Sequence, residues 1–144
     1  MKLLLQRCKK AKVIIDKKII SKINHGLVIF IGIEKNDGKL NAKYLAKKVL
    51  NLRIFNDIDN KMNLSIKDIN GSALIISQFT LCANVNNGRR PSYTNAGDPE
   101  FSEYLYNYFI SKIKQDVFVE TGVFGKNMEV DLVNSGPATF VIEN

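Results

Sequence analysis

The distribution of apolar and polar residues divides the chain into short segments. Residues 2–8 and 11–15 are expected to form one long strand or two short ones. "DKK" at 16–18 is a turn and Ile19–Ile23 a second strand; "NHG" at 24–26 is another turn signal. "LVIFIGI" at 27–33 is continuously apolar, the pattern of a strand covered on both faces. Residues 38–52 switch to helical spacing, with Leu45, Val49 and Leu52 in a stripe and Tyr44 beside it. "SALIISQFTL" at 72–81 begins as a buried strand and ends in polar residues. A second helix is expected from Asp98, a good N-cap, through Pro99 and Glu100 to about Lys114, with Phe101, Leu105, Tyr108 and Phe109 on its apolar side. Late strands are expected at 117–121, 128–133 and 140–142. Roughly seven strands and two principal helices in 144 residues, with hairpins early, imply a single α+β domain. The expected sheet is mainly antiparallel and barrel-like.

Composition narrows the setting. With 45% hydrophobic residues the chain can fill a core, yet no apolar run approaches the ~20 residues of a membrane span. "MKLLLQRCKK" is too short in apolar residues for a signal peptide, so a soluble cytoplasmic protein is expected. Cys8 and Cys82 fit no metal spacing and are not expected to be bridged.

The formal net charge of +7 is uneven. Residues 1–50 carry 13 Lys or Arg against 3 Asp or Glu, and the remainder is net negative. An anionic partner such as RNA fits this asymmetry, and so does the lysine-rich usage of an AT-rich genome. Lys39, Lys43 and Lys47 share one helix face, which reads as a solvated face rather than a phosphate-contacting stripe.

Much familiar chemistry is missing. His25 is the only histidine and falls in a turn, with no nucleophile brought near it. Zinc-hydrolase spacings and phosphate-binding glycine loops do not occur. Cys82 reads as a small core residue. What remains is "SQFTL" at 77–81, where Ser77, Gln78 and Thr80 gather at a strand end. Such an end can present hydroxyls, an amide and free backbone N–H groups to a ligand, or can simply cap a loop. A 17-residue stretch without periodicity follows, "CANVNNGRRPSYTNAGD", and loops of that length tend to be functional or disordered. "NSGPAT" at 134–139 sets Gly-Pro inside a strand region, where proline breaks the ladder.

"SQFTL" followed by "NSGPAT" resembles the D-aminoacyl-tRNA deacylase family. "LLQR" (4–7), "GLVIFIGI" (26–33), "NLRIF" (51–55), "GRRPSYT" (88–94) and "TGVFGKNMEVDLVNSGPATF" (121–140) extend the resemblance over nearly the whole chain. It implies a homodimeric hydrolase that needs neither metal nor other cofactor and cleaves the ester joining a D-amino acid, or mischarged glycine, to tRNA. It implies that Ser77, Gln78, Phe79 and Thr80 form one catalytic wall. It further implies that Gly136 and Pro137 form a cis turn whose carbonyls enter the partner's pocket and exclude L-residues. Arg7 is implied to hold that turn, and Phe124 and Met128 to line the site. Two departures stand out: Ala138 replaces the usual Val, and Cys82 stands where an aromatic is common. Two rival readings are a non-catalytic tRNA- or RNA-binding module, and a different ester hydrolase using Thr80 or Cys82.

Overall fold

The apolar run at 27–33 becomes the central strand β3, Gly26–Gly32, in the computed structural model, which describes residues 1–86 and 88–144. β1 (Lys2–Ile15) lies antiparallel beside it, with Leu3 opposite Ile31 and Arg7 opposite Leu27. Beyond Cys8, the same edge of β1 pairs with β2 (Lys18–Ile23), and the hairpin turns at Asp16 and Lys17, both at positive φ. The short hairpin β4 (Phe55–Asn56) and β5 (Met62–Leu64) stands apart from this sheet. β6 (Ser72–Ser77) and β7 (Phe118–Thr121) continue the main sheet beyond β3. β8 (Glu129–Glu143) runs back along the free edge of β1.

The expected antiparallel sheet needs correction: it is mixed. β3 pairs with β6, and β6 with β7, in parallel. The reason is connectivity. α1 (Lys39–Asn51) lies between β3 and β6, and α2 (Pro99–Ile113) between β6 and β7, so each helix serves as a crossover that returns the chain in the same direction. The early hairpins carry the antiparallel signal and say nothing about these later connections. The sheet curls until β2 approaches β6 and β7, giving a nearly closed barrel with both helices outside.

Two apolar layers follow from β3 being covered on both faces. Leu5, Leu27, Ile29 and Ile75 face α1 and α2, meeting Leu45, Val49, Leu105 and Phe109. Val28, Leu74 and Ile76 face the barrel interior, with Met128 just before β8 and Val130 and Leu132 on it against them. Gly26 begins β3 because a Cβ there would run into the Ser72 backbone of β6. On α1 the buried stripe is Ala42, Leu45, Ala46, Val49 and Leu50, while Tyr44 turns outward. Asp98 caps α2 by accepting from the Phe101 N–H at 3.0 Å, with Pro99 at the first turn. Among the described residues no helix is long and apolar enough to cross a membrane.

Candidate active site

β6 delivers Ser77 to the C-terminal end of the parallel part of the sheet, where strands leave free backbone groups. The Gln78 N–H is still tied to the Ile31 carbonyl at 2.8 Å, as if the ladder continued. Gln78 then leaves the strand conformation, and Phe79–Cys82 form a single 3-10 turn. Its first bond runs from the Leu81 N–H to the Gln78 carbonyl at 3.1 Å. The N–H groups of Phe79 and Thr80 precede that bond, the place where a helical turn leaves donors without internal partners. Cys82 ends the turn in the core, its thiol directed at the Ile33 carbonyl and its pKa raised by burial.

Beside this turn opens a cleft of about 590 Å³. Ser77, Gln78 and Phe79 form one wall, and Phe124 and Met128 the facing one. Ile31, Ile76 and Val130 make an apolar floor; among the described residues Lys126 is the one charged side chain on the lining. The Phe124 wall is built on Tyr106, whose ring lies 5.6 Å away and whose hydroxyl donates to the Ile75 carbonyl at 2.8 Å. Burial raises the Tyr106 pKa, so the phenol stays protonated and keeps donating. Met128 is seated by the Val123 N–H, 3.3 Å from its sulfur, and by Gly122, where a Cβ would lie 2.7 Å from the same atom. Thr80 is not on the lining. It is exposed, and its Oγ1 accepts a short hydrogen bond from the Gln78 amide.

The second motif lies elsewhere. Around Arg7 the β1–β8 register jumps, from Gln6 opposite Thr139 to Cys8 opposite Asn134. Residues 135–138 therefore bulge from the ladder. The Gly136–Pro137 peptide is cis and both residues are exposed. Arg7 Nε donates to the Ser135 carbonyl at 3.1 Å, and Arg7 Nη1 to the Ile54 carbonyl at 2.8 Å and Asn56 Oδ1 at 3.0 Å. Asn134 Oδ1 accepts from the Ala138 N–H at 3.1 Å, closing the bulge from the other side. Ala138 is 5% exposed, so the smaller side chain is accommodated inside.

The register measures how far apart the two motifs sit. Ser77 is level with Ile31 and Arg7 with Leu27, four residues or about 13 Å along one strand. Within one chain the cleft thus gathers Ser77, Gln78, Phe79, Phe124 and Met128, but not Gly136, Pro137 or Arg7. His25 is also remote. Its carbonyl accepts from the Ser72 N–H at the start of β6, and its ring rests edge-on against Phe55. The same cleft contains Ala96, Gly97, Pro99 and Ser102, which sequence reasoning did not single out. Their one sequence signal was the end of the long loop at the helix cap. Among the described residues no three His, Cys, Asp or Glu side chains gather as a metal site.

The family model described as D-Tyr-tRNA(Tyr) deacylase matches residues 4–143. The chain belongs to this family. Membership makes it a hydrolase. It is 47% identical to the D-aminoacyl-tRNA deacylase of Thermosipho africanus, over all of this chain and 97% of that one. The D-aminoacyl-tRNA deacylase of Fervidobacterium nodosum matches with the same identity and coverage. Among solved structures, a c-Myc DNA unwinding element binding protein superposes with a TM-score of 0.95 at 32% identity, covering 100% of this chain and 99% of that one. A probable eukaryotic D-amino acid tRNA deacylase shares the fold, with a TM-score of 0.88 at 14% identity over 99% of this chain and 98% of that one. In this chain Ser77, Gln78 and Phe79 of the SQFTL segment line the cleft, and the Gly136–Pro137 turn is exposed and off that lining.

Proposed function

We propose that this chain hydrolyses the ester between a D-amino acid and the terminal adenosine of tRNA, and that glycine on tRNA is removed in the same cleft. The observation that carries the reading is the run of Ser77, Gln78 and Phe79 on the cleft wall of a chain that belongs to the deacylase family along its length. An aminoacyl ester is already activated, so orientation and charge stabilisation suffice. The backbone N–H groups of Phe79 and Thr80 receive the developing oxyanion, where one well-placed donor contributes about 3 kcal/mol. The apolar floor excludes water from around that oxyanion and strengthens each donor. The attacking water is activated by the 2′-hydroxyl of the substrate's own ribose, held next to the scissile bond.

A second copy supplies the other wall. The Gly136–Pro137 turn is exposed, braced by Arg7 and Asn134, and not on the lining of its own chain's cleft. In a homodimer it enters the partner's cleft, where the Gly136 and Pro137 carbonyls accept from the substrate's α-ammonium. With ammonium and ester both fixed, an L side chain would collide with main chain, whereas a D side chain or hydrogen points away. Selectivity is exclusion, and it needs no pocket for any particular side chain. Hydrolysis of paired D-, L- and glycyl-tRNAs tests this, with sedimentation of the purified protein alongside. Release of D-amino acids and glycine but not L-amino acids, by a species of twice the 16.2 kDa chain mass, is the expected result. Binding of tRNA without release of any amino acid would return the chain to a non-catalytic module.

A further inference from the structure

Residues 88–98 of the long loop border the cleft at Ala96 and Gly97, yet the chemistry proposed above uses none of their exposed side chains. The base of the loop is stitched by a reciprocal pair: the Asn84 N–H donates to the Ser92 carbonyl at 2.8 Å, and the Ser92 N–H to the Asn84 carbonyl at 2.9 Å. Its C-terminal part forms cleft wall at Ala96 and Gly97, and the Gly97 N–H is anchored to the Ile33 carbonyl at 2.9 Å. Between stitch and wall, Tyr93 meets Phe79 with ring centroids 5.0 Å apart. Both rings remain open to solvent, Phe79 at 59% and Tyr93 at 40%. Two adjoining aromatics left wet beside a cleft are a site in search of a flat partner. Arg89 and Arg90 are exposed on the same loop, four and three residues before Tyr93. They are also two of the chain's four arginines.

We propose that this loop holds the single-stranded 3′ end of the tRNA upstream of its terminal adenosine: Phe79 and Tyr93 stack a base, and Arg89 and Arg90 take the flanking phosphates. The inference rests on the hydrolase reading for the identity of the ligand. Unpaired bases are recognised by aromatic stacking, and arginine matches phosphate with a planar pair of donors. The aromatic pair is continuous with the cleft through Phe79, so these rings flank a path for a strand whose last residue reacts in the cleft. The competing basic surface, the Lys39 face of α1, has its first ammonium already placed over the Tyr104 and Tyr108 rings.

The experiment compares D-tyrosyl-tRNA with D-tyrosyl-adenosine, which has the reacting ester and no upstream nucleotide or phosphate. An Arg89→Gln/Arg90→Gln variant and Tyr93→Leu are each expected to lose tenfold or more in kcat/KM on the tRNA and to keep wild-type rates on the adenosine ester. Retention on the small ester also reports an intact fold. Tyr93→Phe should restore the tRNA rate, because stacking needs the ring and not the hydroxyl. The arginine variant should flatten the salt dependence of tRNA binding by about 1.4, the slope for two single-stranded phosphate contacts. Equal losses on both substrates, or no loss on either, would overturn the proposal. Anisotropy of a labelled 5′-ACCA-3′ oligonucleotide keeps it separate from the hydrolase reading. Binding by wild type that weakens in both variants supports the platform even if no ester is cleaved; binding unchanged in both overturns it.

Discussion

Arg7 Nε donates to the Ser135 carbonyl across the β1–β8 pairing at 3.1 Å, at the first of two shifts in that pairing's register. The other end of the guanidinium serves the Ile54 carbonyl and Asn56 Oδ1, so one side chain ties β1, β4 and the Gly-Pro bulge together. It is 8% exposed, and removing it strands the buried Ile54 carbonyl and leaves two part-buried acceptors without this donor. Arg7→Ala is expected to cost about 3 kcal/mol in urea unfolding. Arg7→Lys should recover only part of it, because an ammonium lacks the planar fork that serves separate acceptors at fixed angles. An Arg7→Ala protein as stable as wild type would mean the bulge holds itself.

Gly136 has φ +126, a conformation L side chains rarely adopt, and a Cβ there would lie 2.7 Å from Arg7 Nη2. Gly136→Ala should therefore cost about 1–3 kcal/mol and displace the arginine. The D-aminoacyl-tRNA rate should fall with it. A double-mutant cycle isolates the collision: the same glycine change in an Arg7→Ala background should cost less than in wild type. Additive effects would show that the two residues do not press on each other.

Hydrophobic period carried most of the fold. β3, β6 and both helices were legible because each is buried along a face whose spacing shows in the chain, and Asp98 caps α2 as its side chain and the following proline suggest. The mixed sheet was not legible, because strand direction depends on which way a helix returns the chain, and no local residue records that. The β4–β5 hairpin escaped because it is two and three residues long. β8 is one strand where two were expected, since the bulge takes up Gly136 and Pro137 without ending the pairing. For the site, Ser77, Gln78 and Phe79 of "SQFTL" line the cleft, whereas Thr80 does not. Ala96, Gly97 and Ser102 reach the same cleft by tertiary packing alone, and small residues in a loop give no pattern to read.

Three buried acids make stability fall at alkaline pH. Burial pushes the Cys8 thiol up to about 11 and also raises Cys82 and Tyr106. Each holds its proton more tightly folded than unfolded, so the unfolded chain releases protons first as pH rises. Stability should be level below about pH 8.5, the ordinary thiol value, and decline from there toward pH 11. Urea midpoints at pH 8 and pH 10 measure this, and Cys8→Ala should shrink the difference. A midpoint that rises over this interval would contradict the sign.

Lys39 lies 5.2 Å from the Tyr104 ring centroid and 5.3 Å from that of Tyr108, so the first member of the lysine stripe is committed to aromatic faces between α1 and α2. Lys43 and Lys47 continue the stripe on exposed helix. Replacing all three by Ala is expected to lower Tm slightly and leave the salt dependence of tRNA binding unchanged. A slope flattened by two or three phosphate contacts would instead make this face part of the tRNA surface.

The Gln78 amide next to Thr80 argues against a threonine nucleophile. Gln78 Nε2 donates to Thr80 Oγ1, so the neighbour of that hydroxyl is a donor, which stabilises its oxygen lone pair and removes no proton. The one histidine sits at the far end of β6, five residues or about 17 Å along the strand from Ser77. An unassisted hydroxyl is a weak nucleophile near neutral pH. The substrate's 2′-hydroxyl, by contrast, is adjacent to the scissile ester and gains the advantage of an intramolecular group. The protein's own contribution is then the backbone N–H groups of Phe79 and Thr80, which no side-chain deletion removes. Thr80→Ala and Ser77→Ala are each expected to keep substantial single-turnover rates. A D-aminoacyl-tRNA ending in 2′-deoxyadenosine should bind and hydrolyse very slowly. If Thr80→Ala abolished turnover with binding intact while the deoxy substrate reacted normally, the hydroxyl of Thr80 would be the nucleophile and the substrate-assisted route would be wrong.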